Sequence, residues 1–230
     1  MSKHIIEIDG IVVEILRKPI KNLHLRVYPP DGQVKVSAPI RFRLDEIHHE
    51  LKTKMNWIRQ QRQRFQARPH QPQPTYQTGE QLSFLGEIYT LVNIAHNARP
   101  KILVENNFIH CYIEANATFE DKEKLIQTWH RQQMKVLLPN LIRKWEPVLG
   151  VTVNDWGIKT MKTRWGSCNI RAKRIWLNLR LMIKPLACLE YVLVHELVHL
   201  LETNHSKRFY ALMDKFLPDW RQRQTLLEQH

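Results

Sequence analysis

The segment Leu186 to Leu201 is so apolar that it reads as a helix packed on most of its sides, yet its second half carries His195-Glu196-Leu197-Val198-His199. A fold built on this chain has to bury that helix and still find partners for three polar side chains. Leu186, Leu189, Leu193, Leu197 and Leu200 recur at helical period, and Cys188, Val192, His195, His199 and Glu202 follow the same period on an adjacent face. Residues four apart on an α-helix lie about 40° apart round the axis and roughly 6 Å along it, so the two imidazoles project from one face and can share a cation. Glu196 stands about 100° from His195, which keeps its carboxylate off that cation but within reach of a water bound to it, where a general base belongs. A plainer reading is a pair of core histidines hydrogen-bonded to buried carboxylates. The placement of the glutamate favours zinc, with a zinc-bound water activated by Glu196.

A catalytic zinc keeps three protein ligands and one open position. His205 is the favoured third ligand. It follows His199 across Glu202-Thr203-Asn204, where the helix can end and a left-handed Asn204 can swing the next side chain back over the metal. Glu202, one turn beyond His199, and Asp214 compete with it, and Glu202 is also placed to orient a histidine ring. One Zn2+ per chain is expected.

The rest of the chain reads as α+β. Short apolar runs between His4 and Pro39, punctuated by Pro29-Pro30-Asp31-Gly32, predict a β meander, followed by a helix over 44–66 with a basic outer side. Pro69, Pro72 and Pro74 make 67–79 an extended strap. Four more strands follow, at 82–85, 89–94, 101–104 and 108–113, with Asn106-Asn107 as a hairpin turn. Thr118 and Asp121 form a capping box for a long helix, kinked at Pro139 and stopped at Pro147 and Gly150. Two strands, 151–163 and 174–181, then flank a loop at 164–173, and helices 186–201 and 206–216 end the pattern. No internal repeat is apparent. A β-rich lobe over 1–116 and a catalytic domain over 117–230 are therefore expected.

Lys and Arg number 35 against 22 Asp and Glu, a formal net charge of +13, which either keeps a solvated surface or favours an anionic partner. Between Asp155 and Glu190 stand eight Lys or Arg and no acidic residue. Laid over the metal helix, that hairpin would give a substrate a positive rim, so Arg164 and Lys162 are candidate substrate-binding residues, with Tyr210 just beyond His205. Arg164 and Tyr210 are also candidates for donating to a transition state. Such a hydrolase has two substrate classes open to it: peptide bonds, or the phosphoanhydride of a nucleoside triphosphate. A third reading is a nucleic-acid-associated module whose Arg41 to Arg68 and Lys159 to Lys173 segments contact phosphates. Three cysteines without metal-ligand spacing predict no disulfide framework and a reducing cytoplasm. The first ten residues lack a signal pattern and no apolar run is long enough to span a bilayer, so no membrane partner is expected.

Lys162-Thr163-Arg164-Trp165-Gly166-Ser167-Cys168, Trp176-Leu177-Asn178, Tyr191 to Leu200 and Asn204-His205-Ser206 together resemble the YgjP-like metallopeptidase family, related to SprT-type zinc proteases. The likeness runs from roughly Ile20 to Trp220 and is densest after Thr160. It implies a zincin-like catalytic domain made of a long helix, a short antiparallel sheet and the His-Glu-x-x-His helix. It also implies His195, His199 and His205 as zinc ligands, Glu196 as catalytic acid/base and a peptide or protein substrate. The spacing from His195 to His205 equals that of metzincins, but Glu202 stands where those have glycine and no methionine turn is evident.

Overall fold

The computed structural model describes residues 3–28, 31–66 and 74–229. The chain folds as two compact units, Met1–Gln73 and Pro74–His230. In the first, strands β1 (Lys3–Ile8), β2 (Ile11–Lys18), β3 (His24–Tyr28) and β4 (Gln33–Pro39) form a sheet of order β1-β2-β4-β3. Alternation along the strands turns Ile11, Val13 and Ile15 of β2 and Val34, Val36 and Ala38 of β4 inward. These two strands pair in parallel, so the sheet is two hairpins side by side and not the expected meander. Pairing the two most apolar strands at the centre leaves β1, with Lys3 and Glu7, at an edge. Helices α1 (Leu44–Thr53) and α2 (Met55–Gln66) cover the sheet with Ile47, Leu51, Met55 and Ile58. The single helix expected over 44–66 breaks at Lys54, whose ψ of 5° departs from helical geometry. Pro29, Pro30 and 67–73 of the expected strap lie outside the described residues.

The second unit opens with strands β5 (Gln81–Phe84), β6 (Glu87–Ala95), β7 (Lys101–Glu105) and β8 (Phe108–Ile113), in the order β5-β6-β8-β7 with β6 and β8 parallel. Both four-stranded sheets thus share one topology, each followed by helix, although the sequence shows no repeat. Helix α3 (Phe119–Leu149) starts at the Thr118 capping box, runs on through Pro139 and Pro147, and ends at Gly150 with φ of 69°. Its first half puts Ile126 and Trp129 against Leu91, Ile109 and Ile113 of the sheet. Its second half, from Met134 to Leu149, joins a separate core. The β5–β6 hairpin is also tied to later residues, the Leu85 N–H donating to the Met182 carbonyl at 2.7 Å and the Ser83 hydroxyl to the Ile183 carbonyl at 2.7 Å. For these reasons the division falls at Gln73/Pro74 and not at residue 116.

Three strands follow, β9 (Asp155–Lys159), β10 (Gly166–Asn169) and β11 (Arg174–Asn178), in the order β10-β11-β9. Here β11 runs parallel to β9 and antiparallel to β10, which occupies what reads in the sequence as a loop. A 3-10 turn, Leu179–Ile183, leads into α4 (Leu186–Val198), α5 (Lys207–Phe216) and α6 (Trp220–Gln229). As its apolarity demands, α4 is buried almost all round, packed by α3, α5, α6, β10 and β11. Helix α6 carries no obvious apolar stripe and buries only Trp220 and Leu227. Charge fixes it instead: Arg223 reaches Glu190 of α4 at 2.6 Å and Asp219 at 2.8 Å, and Arg221 pairs with Asp214. Among the described residues no helix is long and apolar enough to cross a membrane.

Glu190 is the knot of this packing, accepting also from Lys144 at 2.7 Å and from the Trp145 indole at 2.9 Å. Burial alone would raise its pKa, but the bonds from Lys144, Arg223 and Trp145 outweigh it and hold the carboxyl at about 2, below its ordinary 4.5. A depressed folded pKa means stability that is fully present above pH 4.5 and lost as pH falls through about 2. Glu190→Gln should therefore destabilise the metal-free protein by roughly 2–3 kcal/mol at pH 7. Guanidinium titrations in the presence of chelator should show the gap between variant and wild type closing as the pH is taken from 5 to 2.

Candidate metal centre

Helix α4 delivers His195 in its last turn and caps itself with His199, whose N–H donates to the His195 carbonyl. The chain does not reverse through a left-handed Asn204, which is not among the positive-φ residues. It turns instead through tightened bonds, Leu200 to Leu197 at 3.0 Å and Leu201 to Val198 at 2.9 Å, and then Ser206 caps α5 by accepting from Phe209 N–H. That path returns His205 over α4. Nitrogen atoms of His195, His199 and His205 all lie within 4.8 Å of one another, a group able to hold a metal ion. The Nε2 atoms of His195 and His205 are 3.0 Å apart.

The ring orientations have identifiable causes. Nδ1 of His199 sits 3.2 Å from the Glu202 carbonyl, which can only accept, so Nδ1 carries the proton and Nε2 keeps its lone pair for a ligand. Beneath all three imidazoles lies Phe209, fully buried, its ring centroid 4.9 Å from His195 and 4.8 Å from both His199 and His205. Burial, with the neighbouring His199 and His205, takes the His195 pKa down to about 4, and burial lowers His199 as well. Both rings are therefore neutral donors at neutral pH. Of the competing third ligands, Glu202 lends its carbonyl to His199 and holds Arg208 at 3.9 Å, and Asp214 accepts from the Trp220 indole at 2.8 Å and pairs with Arg221.

Glu196 is 6% exposed and lines a cavity of about 510 Å³ together with the three histidines, Arg164, β10 and α6. Burial pushes its pKa up to about 8 against the pull of Arg164. Cys168 lines the same cavity but stands outside the histidine group, its thiol raised to about 11 by burial and by Glu196. A second cavity of about 480 Å³ shares His195 and His205 with the first and is walled by Tyr191, Tyr210 and Trp220 in a stack with centroids 5.6 and 6.4 Å apart. Thus Arg164 faces one cavity and Tyr210 the other, and Lys162 lines neither.

The basic hairpin does line the cavity, through β10 and Arg164, but with few of its cations. Of the eight basic residues between Asp155 and Glu190, only Arg164 lines the histidine cavity among the described residues. Arg174 pairs with Asp155 at 2.7 Å, Lys159 lies 3.6 Å over the Trp176 ring, and Arg180 and Lys184 both face the Trp165 ring. Two contributors escape a reading by spacing. Phe209 looks like any core aromatic, although its position four after His205 across a Ser cap is a signal. Asn178, buried at 2% exposure, uses its whole side-chain amide: Nδ2 donates to the Met161 carbonyl at 2.8 Å and the Arg164 carbonyl at 2.7 Å, and Oδ1 accepts from Met161 N–H at 3.3 Å and Arg180 N–H at 3.1 Å.

A family model described as YgjP-like, metallopeptidase domain, matches residues 21–230. The crystal structure of the metallopeptidase zymogen of Pyrococcus abyssi abylysin is similar over 39% of this chain and 90% of that one, with 20% identity and a TM-score of 0.36. No curated protein matches the chain.

Because the three imidazoles rest on one ring, Phe209→Ala should cost roughly 3–5 kcal/mol of stability and release them together. Competition with a chromophoric chelator should show metal affinity falling more for Phe209→Ala than for Phe209→Leu, which keeps most of the volume.

Proposed function

The chain belongs to the YgjP-like metallopeptidase family, and on that premise we propose that His195, His199 and His205 hold one zinc ion per chain and that Glu196 is the acid/base of peptide-bond hydrolysis. One observation carries the reading: three imidazoles converge within 4.8 Å in a cavity that Glu196 also lines. The donor set fits the ion. Neutral imidazoles are good zinc ligands, and three of them leave the fourth tetrahedral position open, as hydrolytic sites require. A zinc ion bound there would supply Lewis acidity, lowering the pKa of water and polarising the scissile carbonyl.

The remaining steps belong to the protein. In its ionised form, which a cation held by the three histidines would favour against burial, Glu196 takes a proton from the attacking water, and the same carboxyl returns it to the departing amine. The strand β10 is an edge strand of its sheet and lines the cavity, so an extended peptide can lie along it through main-chain hydrogen bonds. Arg164, the cation of that cavity, and Tyr210, in the cavity beyond His205, are the side chains placed to donate to the carbonyl oxygen as it gains charge. The three free cysteines, two of them buried, fit a reducing compartment such as the cytoplasm.

Purification without chelator should yield about one zinc per chain by elemental analysis, and His205→Ala should lose most of it. Glu196→Gln should keep the metal while its turnover of labelled casein drops roughly 10²- to 10⁴-fold. Undiminished cleavage by Glu196→Gln would remove the assignment of the base.

A further inference from the structure

The residue Gly166 opens β10 directly against α4, in register with Leu177 of β11. A Cβ built on Gly166 would lie 2.5 Å from Glu196 Oε1, 2.8 Å from Glu196 Cγ and 2.9 Å from Val192 Cγ1, all closer than folded proteins tolerate. Elsewhere the glycines have other reasons: at Gly10, Gly79 and Gly150 an added Cβ meets nothing within 4 Å, and at Gly157 it meets the Trp176 ring. Gly166 alone among the seven glycines would press on the carboxylate.

Neither wall is free to retreat. Helix α4 is held from its other sides by α3, α5 and α6, with Val192 4% exposed. The strand is held by Asn178, whose amide clasps the Arg164 carbonyl at 2.7 Å and whose N–H donates to the Trp165 carbonyl at 2.9 Å, one residue before Gly166. With backbone held on both sides, the parts able to give are the Glu196 and Val192 side chains, and Glu196, which makes the two shorter contacts, can give only by leaving the place it now holds.

We infer that Gly166 is a positioning residue: its missing side chain sets where the Glu196 carboxylate sits, and any Cβ there displaces the base without disturbing the histidines. The inference rests on Glu196 being the base. Displacement of a reacting group by about 1 Å can cost on the order of 10²-fold in rate. In Gly166→Ala, kcat on the peptide best cleaved from labelled casein should fall about 10²-fold, with KM within about threefold of wild type. Zinc content by elemental analysis should stay at the wild-type level, and a crystal structure of the variant should show the carboxylate moved by about 1 Å or more.

Val192→Ala provides the second arm, because it removes the Val192 contact and leaves the carboxylate contact, giving Gly166→Ala room to fold. If the inference holds, the double variant Gly166→Ala/Val192→Ala stays about 10²-fold below Val192→Ala alone. Recovery of kcat in the double variant would mean that the glycine serves packing against Val192, and wild-type kcat in Gly166→Ala would overturn the inference outright. Glu196→Gln separates the two levels. Activity surviving in that variant removes the base and this inference with it, whereas an inactive Glu196→Gln beside a fully active Gly166→Ala removes this inference only.

Discussion

Burial of α4 is the constraint that the rest of the second unit answers. A helix that hides nine of its residues, Glu196 among them, gains its stability from apolar contact on every side and must still present His195 and His199 to a ligand. The solution is to bury the helix along its length and open only its carboxyl-terminal end, where the chain turns back and His205 closes the group. Helices α3, α5 and α6, strands β10 and β11 and the 3-10 turn Leu179–Ile183 supply the burial. The opening is what remains between β10 and α6.

Two carboxylates on this helix show how completely surroundings decide behaviour. Glu190 and Glu196 are the same residue type six positions apart, yet one is held at about 2 and the other pushed to about 8. Glu190 has Lys144, Arg223 and the Trp145 indole as donors, and it serves as a fixed anion that draws α3 and α6 onto α4. Glu196 faces Gly166 and the cavity, with Arg164 as its opposing charge. The first holds the fold together and the second is left able to exchange a proton. An anchor that had to titrate would let α6 go, and α6 is a wall of the cavity.

The centre of the site was legible because helical geometry is rigid: a spacing of four on α4 fixes the relative places of His195 and His199 whatever surrounds them. His205 was legible for a weaker reason, since a ligand was wanted and a turn was due. What escaped was anything whose meaning depends on partners distant in sequence. Phe209 is a platform only because α5 carries it under three rings, and Asn178 is a clasp only because β11 ends beside the Met161–Trp165 segment. Local patterning also failed where local patterning is not what stabilises an element. Helix α6 stands on Glu190 and Asp214, strand β10 is four residues without an apolar alternation, and the division at Gln73 reflects α3 packing on both the β5–β8 sheet and α4.

Net charge misled for a related reason, because it is a sum and chemistry depends on placement. Four of the eight cations of the basic segment lie against its own residues: Lys159 on Trp176, Arg174 on Asp155, and Arg180 and Lys184 about Trp165. Lys159, Arg180 and Lys184 keep their charge, but their side chains lie against indole faces and do not line the cavity. Charged side chains that do line the cavity are Arg164, Glu196 and Glu228, a set with as much negative as positive to offer once Glu196 is neutral. Apart from any cation held by the histidines, a triphosphate would find Arg164 as the one basic side chain lining the cavity among the described residues. A peptide backbone, neutral and rich in main-chain donors and acceptors, needs no basic rim, and the feature of this cavity that suits it is the edge position of β10, which net charge does not register.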